Sequence, residues 1–299
     1  MAWKGLHLTR SAQLSLADNQ MCVKQDAGEV RLALEDIAWI VIDTPQATFT
    51  SALMAACMAT GIALVFTDER HTPSGLALPF HRHHRQGGVA KLQIATKDSV
   101  KKRLWQTLVR AKISNQAAAL AVLKHNDAAT LKEIARHVEP DDPDNVEARA
   151  ARFYWGRLFD DFIRDDANDR RNKLLNYGYA VVRAGVARAL VASGFLPAFG
   201  LKHDGAANAF NLADDFVEPF RPFVDLLAWR TSGEGAGKAG DLTLDDRRAM
   251  AGALLINAKV GNGEASLLVA AEMAAASFGR ALEFEKASLL ELPELERNS

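Results

Sequence analysis

Apolar residues change their spacing once along this chain, and the change divides it in two. Over the first 80 residues they fall in short runs, several of which alternate with polar positions: Gly5-Leu-His-Leu8, Ala12-Gln-Leu-Ser-Leu16, Met21-Cys-Val-Lys24, Val30-Arg-Leu-Ala-Leu34 and Ile37-Ala-Trp-Ile-Val-Ile42. Polar clusters such as Ala17-Asp-Asn19 separate them. Short runs of this kind predict the strands of a compact sheet domain. A buried helix over about 48–59, a turn at Thr60-Gly61 and a strand over 62–66 follow, then a loop from Thr67 to Gly75 punctuated by Pro73 and Gly75. From about residue 91 the period becomes helical. Between Val100 and Ala121 apolar residues stand at 104, 105, 108, 109, 113 and 117–121, with charges between them. Further helices are expected at Asp127–His137, about 145–164, 170–193, 209–231, 243–258 and 262–286. Val138-Glu-Pro-Asp-Asp-Pro-Asp144 interrupts them, and Gly233 to Gly240 reads as a flexible loop. The expected class is α+β, with a small β-rich N-terminal domain over residues 1–85 and a larger all-α C-terminal domain over 86–299.

Composition narrows this without overturning it. A chain of 299 residues with 48% hydrophobic and 24% charged residues can bury a substantial core. Residues 44–67 carry no charge and imitate a membrane span, but their apolar part runs only from Ala52 to Phe66, short of the roughly 20 residues a spanning helix needs. No membrane association is expected. The N-terminus lacks a basic stretch followed by an apolar run, so no signal peptide is expected either. Cys22 and Cys57 fit no metal or redox spacing, which suits reduced, packed thiols and a cytoplasmic protein.

The net charge of −1 argues against a wholly basic nucleic-acid binder, yet the charge is uneven. Residues 81–112 hold nine Lys or Arg and one acid, Asp98, with His81, His83 and His84 among them. Arg82, Arg85, Lys101, Lys102 and Arg103 are the candidates for contact with phosphate groups. A solvated helix face would have the same composition.

Candidate chemistry comes from Glu147, His203 and Glu218. Two carboxylates and an imidazole can hold one divalent cation and leave positions open for a phosphate. Each has an ordinary explanation as well. Asp144-Asn-Val-Glu147 has capping-box spacing, with Asp144 as N-cap. His203 follows a loop marked by Pro197 and Gly200, where a lone histidine often has no special role. Asp214 and Glu218 are four apart on an expected helix, a like-charge pair that a metal, Arg221 or solvent could relieve. Pro219 and Pro222 should tighten the chain just beyond Glu218. Gly235-Ala-Gly-Lys-Ala-Gly240 matches a dinucleotide-binding pattern, but it follows a helical segment and not a strand. Ala239 stands where a phosphate loop needs Ser or Thr. Both readings are rejected.

Taken together, Thr67-Asp-Glu-Arg-His-Thr-Pro-Ser-Gly75, Trp105-Gln106 with Lys112-Ile-Ser-Asn-Gln116, Glu147 with Ala151-Arg-Phe-Tyr-Trp155, Asn172-Lys-Leu-Leu-Asn-Tyr-Gly-Tyr179, Arg188-Ala-Leu190 with Gly194-Phe-Leu-Pro197, and Gly200-Leu-Lys-His203 with Asn211 to Pro222 resemble the CRISPR-associated adaptation endonuclease, or spacer integrase, in its type II form. They run in family order over nearly the whole chain. Lys202 and Ala209 depart from residues common in the family. The resemblance implies that Glu147, His203 and Glu218 ligate a catalytic Mg²⁺ or Mn²⁺, with Asp214 as an auxiliary acid. It implies a dimerising N-terminal domain and a catalytic C-terminal one. The implied activity inserts short double-stranded DNA fragments at CRISPR repeat ends by 3′-hydroxyl transesterification. The implied assembly is a homodimer working with a small CRISPR-associated partner protein. A nuclease of branched DNA that never joins ends, or a DNA-binding scaffold with its acids as helix caps, are the alternatives.

Overall fold

The computed structural model describes residues 2–80, 83–236 and 239–296. His81 and Arg82 of the basic strip, and Gly237 and Lys238 of the glycine-rich loop, lie outside them. The chain separates into two compact units, Met1–Gln86 and Gly87–Ser299.

The first unit is built from β1 (Lys4–Leu8), β2 (Ala12–Ala17), β3 (Gln20–Gln25), β4 (Gly28–Ala33), β5 (Ile37–Ile42), β6 (Ala47–Phe49), α1 (Ser51–Thr60), β7 (Ala63–Thr67) and β8 (Pro73–Ala77). Its two four-stranded sheets run β1-β5-β7-β8 and β4-β3-β2-β6. β5 is parallel to β1 and β7, and all six of its residues are buried, which is why it reads as a continuous apolar run and not an alternating one. Leu8, Leu14, Met21, Ile40, Leu53 and Leu64 belong to one core cluster drawn from both sheets and α1. Cys57 lies in that cluster, and burial pushes its thiol up to about 11. Two strands differ from the sequence expectation. β6 joins Ala47 to the first two residues of the expected helix, and β8 starts inside the expected loop and runs on to Ala77, where it covers β7 in antiparallel fashion.

The second unit holds α2 (Gln86–Ala95, starting at the boundary), α3 (Asp98–Val122), α4 (Ala128–Arg136), α5 (Val146–Leu158), α6 (Arg170–Ala192), α7 (Asn211–Val217), α8 (Arg221–Thr231), α9 (Leu244–Ala251) and α10 (Leu267–Glu283). The expected helix over 209–231 is broken by a single 3-10 turn at Glu218–Phe220, where Pro219 has no N–H to offer a helix. A small antiparallel ribbon of β9 (Asn257–Val260) and β10 (Gly263–Ser266) replaces the expected meeting of two helices. Its turn is Gly261-Asn262, with Gly261 at φ 59°. None of the described helices is long and apolar enough to cross a membrane.

α6 is the buried spine of this unit, and its residues from Leu174 to Leu190 are nearly all inside. α8 crosses it closely at Gly178, where a Cβ would fall 2.5 Å from Val224 Cγ1. That approach sets the position of α8 and the 3-10 turn before it. Gly178→Ala is therefore expected to destabilise the protein. Overpacking costs of about 1–3 kcal/mol exceed the ~1 kcal/mol that alanine gains over glycine in a helix. Denaturant unfolding measures the balance, and a stabilised variant would contradict the close crossing.

Candidate metal centre

One face of α3 organises the site. Trp105, Lys112 and Asn115 are spaced seven and three apart, so they project to the same side of the helix. Each meets a different part of the candidate ligand set.

Asn115, fully buried, donates to the carbonyls of Pro219 and Pro293 at 2.8 Å each and accepts from Leu295 N at 3.0 Å. The first bond fixes the 3-10 turn that carries Glu218. One turn earlier on α3, Lys112 Nζ lies 2.5 Å from Glu218 Oε2 and 2.6 Å from Glu147 Oε1. The ammonium is the partner of Oε2, which is otherwise buried. Arg221 Nε donates to the other oxygen, Oε1, at 2.7 Å. Burial works against the Glu218 charge, but Lys112 and Arg221 outweigh it and hold the carboxyl down at about 2.

Glu147 reaches Lys112 from the first turn of α5. The expected capping box is not formed. Asn145 is the N-cap, in left-handed backbone at φ 52°, and makes no side-chain cap bond. Asp142 does the capping, its two oxygens accepting from Val146 N and Glu147 N at 2.9 Å each. Asp141 and Asp142 both have positive φ, at 73° and 51°, and the tight coil they make brings Asp142 beneath the helix start in place of Asp144. The Glu147 carboxylate points to Lys112 and not to its own backbone.

His203 stands on the loop between α6 and α7. Asp215, with no exposed surface, gathers that loop, accepting from the backbone N–H of Leu201, Lys202 and His203 at 2.5, 3.2 and 3.1 Å. His203 Nδ1 lies 2.7 Å from the same carboxylate. With Nδ1–H donated there, Nε2 is the nitrogen that remains for a ligand. The hydrogen bond to Asp215 raises the His203 pKa, burial opposes it, and the charges of Asp215, Glu218 and Asp214 add to the rise. Gly200 is required here, since a Cβ would sit 2.2 Å from His203 O and 2.7 Å from Asp215 Oδ2. Gln93 of α2 holds the same loop at Leu196 and Phe199 through bonds of 2.8–3.0 Å. Trp105 meets the imidazole edge-on, with ring centroids 6.0 Å apart.

Asp214 is committed elsewhere. Arg183 donates to both its oxygens, and Asn208 Nδ2 donates at 2.7 Å. The like-charge stress expected between Asp214 and Glu218 is thus relieved by separate cations. Asp215 is the acid that sequence spacing passed over. Helical i,i+4 arithmetic favoured Asp214, but α7 ends at Val217 and Glu218 belongs to the next turn.

Among the described residues, no three His, Cys, Asp or Glu side chains are grouped to hold a metal ion together. The chemistry of the site nevertheless fits a hard divalent cation. Glu147 and Glu218 already share one positive charge, and His203 has its second nitrogen oriented by a carboxylate.

The basic strip is not one surface. Lys112 turns inward, and Arg110 donates to the carbonyls of Val138 and Arg136 at 2.8 and 3.3 Å. Lys102 pairs with Asp141 at 3.4 Å and remains exposed, as do Arg103 and, in the first unit, Arg85. Lys101 lines a cleft of about 440 Å³ with His203, Phe199, Asn208, Gln93 and Phe278.

Comparison with known proteins gives a consistent picture. The family described as CRISPR associated protein Cas1 matches residues 6–255. The CRISPR-associated endonuclease Cas1 of Neisseria meningitidis serogroup C (strain 8013) is 38% identical over 298 residues, which is 99% of this chain and 97% of that protein. A solved casposase bound to integration product shares the fold with a TM-score of 0.79 at 18% identity, covering 95% of this chain and 92% of that one. A chain of a Cas6-RT-Cas1–Cas2 complex shares it with a TM-score of 0.74 at 16% identity, covering 99% of this chain and 36% of that longer one.

The depressed Glu218 carboxyl has a consequence for acid stability. Its contribution is fully present above the ordinary value of 4.5 and is lost as pH falls towards about 2. Glu218→Gln lacks that contribution at every pH. The stability gap between wild type and variant should therefore narrow as pH is lowered from about 5 to about 3. Denaturant titrations at successive pH values measure it, and two parallel profiles would show that Lys112 and Arg221 do not hold this charge.

Proposed function

Because the chain belongs to the Cas1 family of CRISPR-associated proteins, we propose that it is a metal-dependent DNA endonuclease and integrase of spacer acquisition, in the type II form. The observation that carries this reading is the convergence of Glu147 and Glu218, far apart in sequence, on one buried cationic nitrogen. Its substrates are short double-stranded DNA fragments and the CRISPR repeat. It works as a homodimer with a small CRISPR-associated partner; the Cas1–Cas2 complex to which the structural neighbour belongs supports the partner.

Glu147 and Glu218 would supply oxygen ligands and His203 Nε2 the nitrogen ligand to Mg²⁺ or Mn²⁺. Bound there, the cation would favour loss of the proton from an attacking 3′-hydroxyl and offset charge on the phosphate oxygens. Asp215 holds the imidazole by Nδ1, so Nε2 keeps its orientation without a contact of its own to DNA. In the joining step the 3′-oxygen of the fragment forms a new bond to phosphorus, and the bond from phosphorus to the displaced repeat 3′-oxygen breaks. One proton leaves the attacking hydroxyl and one is taken up by the leaving oxygen. One phosphodiester is made for each one broken, so no activated nucleotide is consumed. Arg85, Lys101, Lys102 and Arg103, with Arg82, would contact DNA backbone, and their contribution would weaken as salt rises.

Strand joining with a labelled 3′-hydroxyl fragment, a repeat duplex and Mn²⁺ tests the proposal. Glu147→Ala and His203→Ala should each lower the joined product by at least about 100-fold, since residues that only orient a ligand already contribute about 10–100-fold. Full activity in either variant would remove that residue from the site. Cutting of branched DNA with no joined product from the wild type would reduce the activity to that of a nuclease. Binding with neither reaction would leave a scaffold.

A further inference from the structure

Lys112 has no role in the metal chemistry described above, yet it holds the centre of the site. Its side chain is only 12% exposed, and its ammonium touches Glu147 Oε1 at 2.6 Å and Glu218 Oε2 at 2.5 Å. Arg221 takes Glu218 Oε1 at 2.7 Å. Both oxygens of Glu218 and one of Glu147 therefore already face a cationic nitrogen. A divalent cation held by the same carboxylates would compete for them with the ammonium, because two positive charges so close repel. Arg221 does not stand in the way. It approaches Glu218 alone, and its guanidinium stacks on the Tyr179 ring at 4.4 Å. Lysine also differs from arginine in carrying a compact charge on a flexible four-carbon stem, so the ammonium can leave without moving the helix.

We propose that Lys112 is a built-in counter-ion that closes the site in the absence of metal and has to leave the carboxylates for a divalent cation to bind. This rests on the metal-centre reading above and adds a threshold to it. At low divalent concentration Glu147 and Glu218 stay paired with the lysine, which keeps two like charges from repelling in a buried place. Above the threshold the same carboxylates exchange one cation for another. Lys112 thus positions the ligands before the metal arrives and competes with it afterwards.

Two measurements on the whole protein test this. The first is the affinity for Mn²⁺ alone, read from the free-ion electron paramagnetic resonance signal, for wild type, Lys112→Met and Glu147→Ala. Methionine keeps the stem and removes the competing charge, so Lys112→Met should bind Mn²⁺ at least about tenfold more tightly than wild type, the factor that 1.4 kcal/mol represents. The second needs no variant at residue 112. Amine-directed acetylation of the wild type, read peptide by peptide by mass spectrometry, should show Lys112 protected without metal and more reactive once Mn²⁺ saturates the site. If Mn²⁺ binds and Glu147→Ala weakens it, but either readout at Lys112 stays flat, the counter-ion proposal is overturned while the metal centre stands. If Mn²⁺ does not bind, or binds equally well to Glu147→Ala, the metal-centre reading itself falls.

Discussion

A buried carboxylate has to be paired, and Glu218 is paired twice. Its side chain is 7% exposed, and an uncompensated charge there would be costly enough to unfold the turn that carries it. Lys112 from α3 and Arg221 from α8 supply the compensation on separate oxygens. Because Lys112 also holds Glu147, the same ammonium draws the start of α5 onto α3. Three segments far apart in sequence are fixed by one charge. The rest of the site is arranged around that contact: Asn115 holds the Pro219 carbonyl three residues further along α3, and Trp105 borders His203 two turns before.

A second layer beneath this contact keeps the two carboxylate-bearing segments in register. Tyr154 of α5 and Tyr179 of α6 both donate to Asp225 of α8. Burial pushes the Asp225 carboxyl up to about 7, against the two tyrosine hydrogen bonds and the charges of Arg221 and Arg164. Tyr179 in turn lies under the Arg221 guanidinium. The helix whose first turn carries Glu147 and the helix that follows Glu218 are thereby tied at a second point. Both tyrosines lie in segments that resemble the family, and this network gives a physical reason for their presence.

Local patterns predicted what local physics decides. β1 to β5 were legible as short apolar runs, and α3 and α6 from helical spacing, because each buries a face that its own sequence defines. The failures fall where a distant partner or an unusual backbone decides. β8 has little apolar alternation of its own and exists because β7 offers an edge. The β9–β10 ribbon takes the end of one expected helix and the start of the next, although Gly261-Asn-Gly263 is a recognisable hairpin turn signal. Asp142 caps α5 in place of Asp144 because two successive aspartates adopt positive φ. Asp215 was passed over because a helix periodicity was carried across a turn that is not α-helical. Glu147, His203 and Glu218 were singled out by residue type and context, but the partners that orient them, Lys112, Asn115, Gln93 and Asp215, each act across a separation that no spacing rule covers.

Lys112 shows most clearly why a charge count is a poor map of a surface. In sequence it is one of nine basic residues in the strip at 81–112, and as such it counts towards a footprint for DNA. In the folded unit it faces inward to two acids. Arg110 is spent on backbone carbonyls, Lys97 pairs with Glu285 at 2.8 Å, and Lys102 shares Asp141 with Lys202. The strip thus divides into charges engaged with groups of the protein itself and others, including Arg103 and Lys101, that face solvent or the cleft beside His203. A near-neutral chain can act on a polyanion on these terms. A few outward cations near the site suffice for that, while the inward ones hold the acids in place.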